Sequence, residues 1–196
     1  PGLKSIVTYG NINTDDEAYD AYMSTLAGKE NLQELAGDGF VSKDGWSQII
    51  RTNNSLATVE NLPYYYTDKL VEDLQLNPHS HLQYINFDSD FAFVEIPVSG
   101  NVMHELIHLL HDRHNGDYKV EYVGKGRVNF ADMEQAEKFL QLVSSSLKSI
   151  VSIEVGAIGV ARQYSDNGTL NPAVKLFQDK LNSIRDRNMA VREANC

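Results

Sequence analysis

The stretch His104-Glu105-Leu106-Ile107-His108 lies inside an apolar, helix-forming run at 101–114 and constrains the fold more than any other segment. A helix brings residues four apart onto one face. His104 and His108 then turn their imidazoles the same way, while Leu106, Ile107, Leu109 and Leu110 supply apolar surface that must be buried. Ser99 and Asn101 suit the N-cap, and Asn115-Gly116 is a strong stop. In a chain of this size with six histidines, an H-E-x-x-H run arises by chance at odds on the order of one per cent. The residue types suit zinc. Two imidazoles would hold the ion, and Glu105, rotated about a quarter turn away, would take a proton from metal-bound water. The expectation is a zinc-dependent endopeptidase with Glu105 as general base and His104 and His108 as metal ligands.

A length of 196 residues and a hydrophobic fraction of 42% suit one domain, 1–196, with a sizeable core. A net charge of −10 argues against a nucleic-acid partner. The one cysteine, Cys196, allows no internal disulfide and suits a reducing compartment. No apolar run reaches the length of about 18 residues that a membrane span needs. The first residue is Pro1, so a secretion or targeting segment is expected upstream. A monomer is expected.

Along the chain, residues 3–9 suggest a strand, and 15–27 and 30–36 short helices, the second closed by Gly37-Asp38-Gly39. Residues 47–51 suggest a strand running into Thr52-Asn53-Asn54-Ser55. Tyr64-Tyr65-Tyr66 is an aromatic cluster, better explained by packing than by ligand binding. Strands are expected at 82–87 and 91–96, with Asp88-Ser89-Asp90 as the turn and Pro97 as the end. Residues 118–123 alternate and suggest another strand. Asp132, with Gln135 three residues on, caps a helical pattern that runs to about Ala161, with a break near Ser144-Ser145-Ser146. Pro172 opens a last helix with Ala173, Leu176, Phe177, Leu181 and Ile184 on one face. No internal repeat stands out. The pattern predicts an α+β, zincin-like fold, a small sheet packed with helices.

A catalytic zinc usually takes three protein ligands and a water. His114 stands ten residues after His104, matching H-E-x-x-H-x-x-G-x-x-H except that His111 replaces the glycine. On a continuous helix ten residues rise roughly 15 Å and seven roughly 10 Å, so neither His114 nor His111 reaches the same ion. Their place near a helix C-terminus suits the macrodipole. A carboxylate from a second segment is the alternative: Glu134, Glu137 or Glu154. The first two sit in an opening helical turn, where acids are common for dipole reasons. Glu154 lies in the apolar stretch 150–159, where a carboxylate needs a partner or a metal. It is the favoured third ligand, against a Glu on a narrow solvent-facing stripe.

The segment from His104 to His111 resembles the active-site helix of the clostridial neurotoxin light chains. Ser152-Ile153-Glu154 through Gly159 is similar to their third-ligand segment. The short chain resembles still more the NleD-like effector peptidases injected by bacterial type III secretion systems, whose C-terminal segment Asn182-Ser183-Ile184-Arg185 and Arg192 match in type. The resemblance implies zinc on His104, His108 and Glu154. It also implies secretion into a host cell cytoplasm and a host protein substrate of the stress-activated MAP kinase class. The neurotoxin Arg-x-x-Tyr pattern departs here, since Asn195 holds the Tyr position after Arg192. Arg192 is the first candidate for stabilising the oxyanion and Tyr164 the second. Two alternatives stand beside this expectation. One is a non-catalytic zinc-binding interaction protein, the other a metzincin-like peptidase using His114.

Overall fold

The computed structural model describes residues 2–8, 16–37, 43–88, 97–123, 127–164 and 168–195. Contacts divide the chain into two compact units, Pro1–Phe91 and Ala92–Cys196.

The first unit alternates strand and helix. β1 (Ser5–Thr8), α1 (Asp16–Ala27), β2 (Glu34–Gly37), α2 (Lys43–Thr52) and β3 (Thr58–Pro63) lead into a 3-10 turn at Tyr64–Tyr66, then α3 (Thr67–Leu76) and β4 (Tyr84–Asp88). Neighbouring strands pair in parallel and in chain order, with Ser5 opposite Glu34, Glu34 opposite Thr58 and Thr58 opposite Tyr84. Parallel neighbours need a long crossover, and each helix supplies one. Successive turns repeat the same chemistry. Leu26, Ile50 and Leu74 are buried at matching helix positions, and Leu32 and Leu56 at the matching turn. Leu35, Val59 and Ile85 share one buried strand register.

Asparagines join the turns. Asn53 is 3% exposed. Its Nδ2 donates to the Lys29 carbonyl, 24 residues back, and its Oδ1 accepts from the Ser55 and Leu56 amides. Asn77 stands a further turn on, and its Nδ2 donates to the Ile50 carbonyl at 2.9 Å. Each amide side chain thus satisfies backbone groups that a bend would otherwise strand. Tyr64 and Tyr66 are buried, as packing residues should be. The Tyr66 hydroxyl donates to the fully buried Asp73, which also accepts from Arg51 Nε at 2.6 Å. Burial, then Asp73, pushes the Tyr66 phenol up.

The second unit contains β5 (Val98–Ser99), α4 (Gly100–His114), β6 (Lys119–Val123), β7 (Arg127–Phe130), α5 (Met133–Ser144), β8 (Ile150–Ser152), β9 (Glu154–Ile158), β10 (Ala161–Arg162) and α6 (Pro172–Ala194). β6 pairs with β8 in parallel, as β5 does with β7 and β7 with β9; β10 folds back antiparallel on β9. Phe130 joins the core layers, 5.3 Å from Phe139 of α5 and 5.4 Å from Phe177 of α6 between ring centroids. Asn188 of α6, 1% exposed, donates to the Ser146 and Ser149 carbonyls, so α6 covers the turn after α5.

Several expectations hold. The strands at 3–9, 82–87 and 118–123 appear as β1, β4 and β6, and the helix at 15–27 as α1. Ser99 accepts from the Asn101 amide, Asp132 from the Gln135 amide, and Asn115 closes α4 in the left-handed region at φ 51°. Others are corrected. Residues 34–37 are strand, not the end of a helix at 30–36, because Leu35 and Ala36 are held between β1 and β3. Residues 47–51 are helical, because Trp46, Ile49 and Ile50 bury one helical face. The helix from Asp132 stops at Ser144; Ile150, Val151, Ile153 and Val155 then enter strands or the bend between them. On the last helix Val174, Phe177 and Leu181 are buried, but Leu176 is exposed. The strand expected at 91–96 lies outside the described residues. The α+β, zincin-like expectation gives way to an α/β fold with mostly parallel strands, and a repeat is present after all.

Candidate functional site

On α4 the apolar positions Met103, Leu106, Ile107 and Leu110 are buried, and Glu105, His108 and Asp112 face solvent. The His104 and His108 rings lie 6.2 Å apart with planes 42° from parallel. His108 Nδ1 is 3.0 Å from Asp112 Oδ2 one turn on. Burial pushes the half-buried His104 below its ordinary pKa, helped by His108 and Lys138 and opposed by Glu105. The helix runs unbroken through His114, and His111 packs edge-on against Tyr118 at 6.1 Å.

Glu154 has found its partners in the protein. It opens β9 directly opposite Arg127 of β7. Its Oε1 accepts from Gln163 Nε2 at 2.5 Å and lies 3.6 Å from Arg127 Nε. The requirement that a carboxylate in apolar surroundings be paired is therefore met without a metal. Among the described residues no group of three or more His, Cys, Asp or Glu side chains is placed to hold a metal ion. His104, His108 and Glu154 do not converge. Arg192 of α6 is engaged elsewhere, donating to the Lys148 carbonyl and lying 3.4 Å from Asp117 Oδ1. Asn182 Oδ1 accepts from Gln178 and Arg185 along the same helix.

The sheet β10–β9–β7–β5 gathers charged and aromatic side chains near one edge. The Arg127 guanidinium carbon lies 6.0 Å from the centroid of the Tyr164 ring, within cation–π range. Gly156 keeps this face open, since a Cβ there would fall 2.5 Å from Asn129 Oδ1 and 3.0 Å from Arg127 Cβ. Gln163 is buried, its amide donating to the Gly156 carbonyl at 2.7 Å. At the tight turn between β9 and β10, Gly159 takes φ +59° and Val160 is left 102% exposed. Tyr164 forms an isolated bridge with Leu170, and they are 48% and 38% exposed. Sequence reasoning picked out Glu154 and Tyr164 but missed Arg127 and Val160. The Gly159-Val160 turn was the available signal, since glycine readily takes the first position of a tight hairpin.

In both units one helix crosses over between each pair of parallel neighbours, and side-chain amides bind adjacent turns in the first. This defines the class: α/β proteins of stacked strand–helix repeats, in the manner of leucine-rich repeats. Among solved structures the chain is similar to the tropomodulin C-terminal domain of Caenorhabditis elegans, at 12% identity and a TM-score of 0.52, covering 93% of this chain and 98% of that one. Leiomodin-1 actin-binding site 2 overlaps less well, at 8% identity and a TM-score of 0.40, covering 98% of this chain and 84% of that one. No protein-family model matches the chain. No curated protein matches it.

At such identities the tropomodulin likeness establishes the fold alone. That fold corrects the resemblance to NleD-like and clostridial metallopeptidases, and the zinc endopeptidase, hydrolase and virulence-effector expectations that came with it. In physical terms, His104-Glu105-Leu106-Ile107-His108 is a repeat helix whose leucine and isoleucine pack inward. His108 faces solvent and His104 is half-buried, and among the described residues no third ligand joins them. The kinase substrate and delivery into a host cytoplasm were implied by that resemblance alone. Among the described residues no helix is long and apolar enough to cross a membrane.

Proposed function

We propose that this chain is a non-enzymatic protein-binding module that engages its partner at the β10 end of the four-stranded sheet in the second unit. The observation that carries this is the exposure of Tyr164, which stands beside Arg127, of its bridge partner Leu170, and of Val160 at the β9–β10 turn. The fold leaves these apolar and aromatic groups in water, although burying such a side chain is worth about 1.5–3 kcal/mol. Contiguous exposed apolar surface, here the Tyr164–Leu170 pair, marks interaction sites. Tyrosine and arginine are also the types that most often dominate binding energy when an interface covers them. Arg127 is already braced by Glu154 and Gly156 leaves it room, so little ordering is needed on binding.

The test compares wild type with a Val160→Asp/Tyr164→Ala double variant, both checked for folding by circular dichroism. Each is immobilised and exposed to cell extract, and bound proteins are quantified by mass spectrometry. A protein captured by wild type and lost from the double variant supports the proposal. Equal capture by both, or none by either, overturns it. Actin, which the leiomodin fragment's name gives as that fragment's partner, is a purified protein to assay in parallel.

A further inference from the structure

One edge of the first unit carries a groove of 560 Å³ where successive turns pass from helix to strand. Its lining includes Ala27, Glu30, Thr52, Asn54, Ser55 and His81, drawn from three consecutive turns. Ala27 and Thr52 are the final residues of α1 and α2, so two helix C-termini, each carrying partial negative charge, end at the groove. Glu30 adds a full carboxylate, and among the described residues no lysine or arginine lines the groove, exposed Lys29 standing between the lining residues Gly28 and Glu30. Arg51, next to Thr52 in the chain, is held by Asp73 instead. The surroundings reinforce the sign: residues 1–91 hold 14 Asp or Glu against 5 Lys or Arg, a net −9. The groove is also stiff. The Ser55 hydroxyl donates to the Glu30 carbonyl, and the His81 amide donates to the Asn54 carbonyl at 3.2 Å, so neighbouring turns are bonded across it.

We propose that this groove binds an extended, Lys- or Arg-bearing segment of a partner protein, with a cationic side chain set against Glu30 and the two helix ends. The volume lies within the range of about 300–1,000 Å³ typical of binding clefts. Lining residues from three turns suit a segment laid along the stack, and the charge complementarity selects a basic one. The site lies wholly within the first unit and does not depend on the sheet face of the second.

The experiment measures binding of a fluorescein-labelled peptide of alternating glycine and arginine to the full chain by fluorescence anisotropy. Wild type is compared with Glu30→Lys, with Glu60→Lys on β3 outside the groove, and with Asn54→Trp, which fills the groove without changing charge. Circular dichroism confirms that each variant folds. The proposal expects saturable binding to wild type, weakened at least about tenfold by Glu30→Lys and by Asn54→Trp and less than about twofold by Glu60→Lys. Absence of saturable binding overturns it. So does equal weakening by Glu30→Lys and Glu60→Lys, which would mean general attraction to an acidic unit, or full binding by Asn54→Trp. The Val160→Asp/Tyr164→Ala variant should bind the peptide as wild type does, so the two proposals can fail separately.

Discussion

Replacing Asn53 with alanine should destabilise the protein by about 2–4 kcal/mol, because a buried side chain at this bend serves three partners that no other group can serve equally. Its Oδ1 accepts from the Ser55 amide at 3.0 Å and the Leu56 amide at 3.1 Å, and its Nδ2 donates to the Lys29 carbonyl at 3.1 Å. The three losses are unequal. The Lys29 carbonyl keeps its bond from the Leu32 amide at 3.0 Å, so that loss is one ordinary hydrogen bond, about 1 kcal/mol. Ser55 is only half-buried, and water can reach its amide. Leu56 is 0% exposed, and stranding its amide costs about 1–3 kcal/mol. Asn77→Ala should cost less, about 1–2 kcal/mol, since it donates once, to Ile50, and accepts once, from the His79 amide at 3.3 Å. Asn54→Ala, at an exposed position next door, should stay within about 0.5 kcal/mol of wild type. The assay is urea unfolding followed by circular dichroism, with the midpoint and slope fitted for each variant. A loss under about 0.5 kcal/mol for Asn53→Ala, or an equal loss for Asn54→Ala, would refute the role given to these asparagines.

Gly116→Ala should be destabilising by roughly 2 kcal/mol or more in the same assay, since Gly116 sits at φ +78° and its new Cβ would collide with Ser146 Oγ. Asn188→Ala should cost about 2 kcal/mol, because the Ser149 carbonyl loses the Asn188 donor and the Ser146 carbonyl is left with the Ser149 hydroxyl; Arg192→Ala, whose contacts are longer and partly exposed, should cost under about 1 kcal/mol. His104 titrates below its ordinary 6.5 in the folded chain, so the unfolded chain binds the proton first and stability falls as pH drops below 6.5. The urea midpoint of wild type should therefore decline between neutral and mildly acidic pH more steeply than that of His104→Gln, and parallel declines would contradict this.

Much of the helical framework was legible because its signals are local. Ser99 opens α4 and Asp132 and Gln135 open α5 through side chains that bond nearby backbone groups, Asn115-Gly116 closes α4 through left-handed backbone, and Pro172 stands at the start of α6. The same local view misled where a residue's partner lies far along the chain. Leu35 and Ala36 fit a short helical pattern as well as a strand, and only the parallel neighbours β1 and β3 fix them as strand. The repeat escaped notice because it is carried by few positions, such as Lys29, Asn53 and Asn77, with varied residues between.

Glu154 marks the division most sharply. The sequence by itself determined that a carboxylate between Ile153 and Val155 must be compensated, since charge in apolar surroundings is costly whatever the fold. It also determined that 101–114 forms a helix with an apolar face and with His104 and His108 on a common side. Only the tertiary structure decided that the compensation comes from Arg127, 27 residues earlier on β7, and from Gln163 on the returning chain. It likewise decided that, among the described residues, no third ligand meets His104 and His108. The cost of an unpaired charge follows from the residue and its neighbours. The choice of partner follows from strand register, which is set by how distant segments pack.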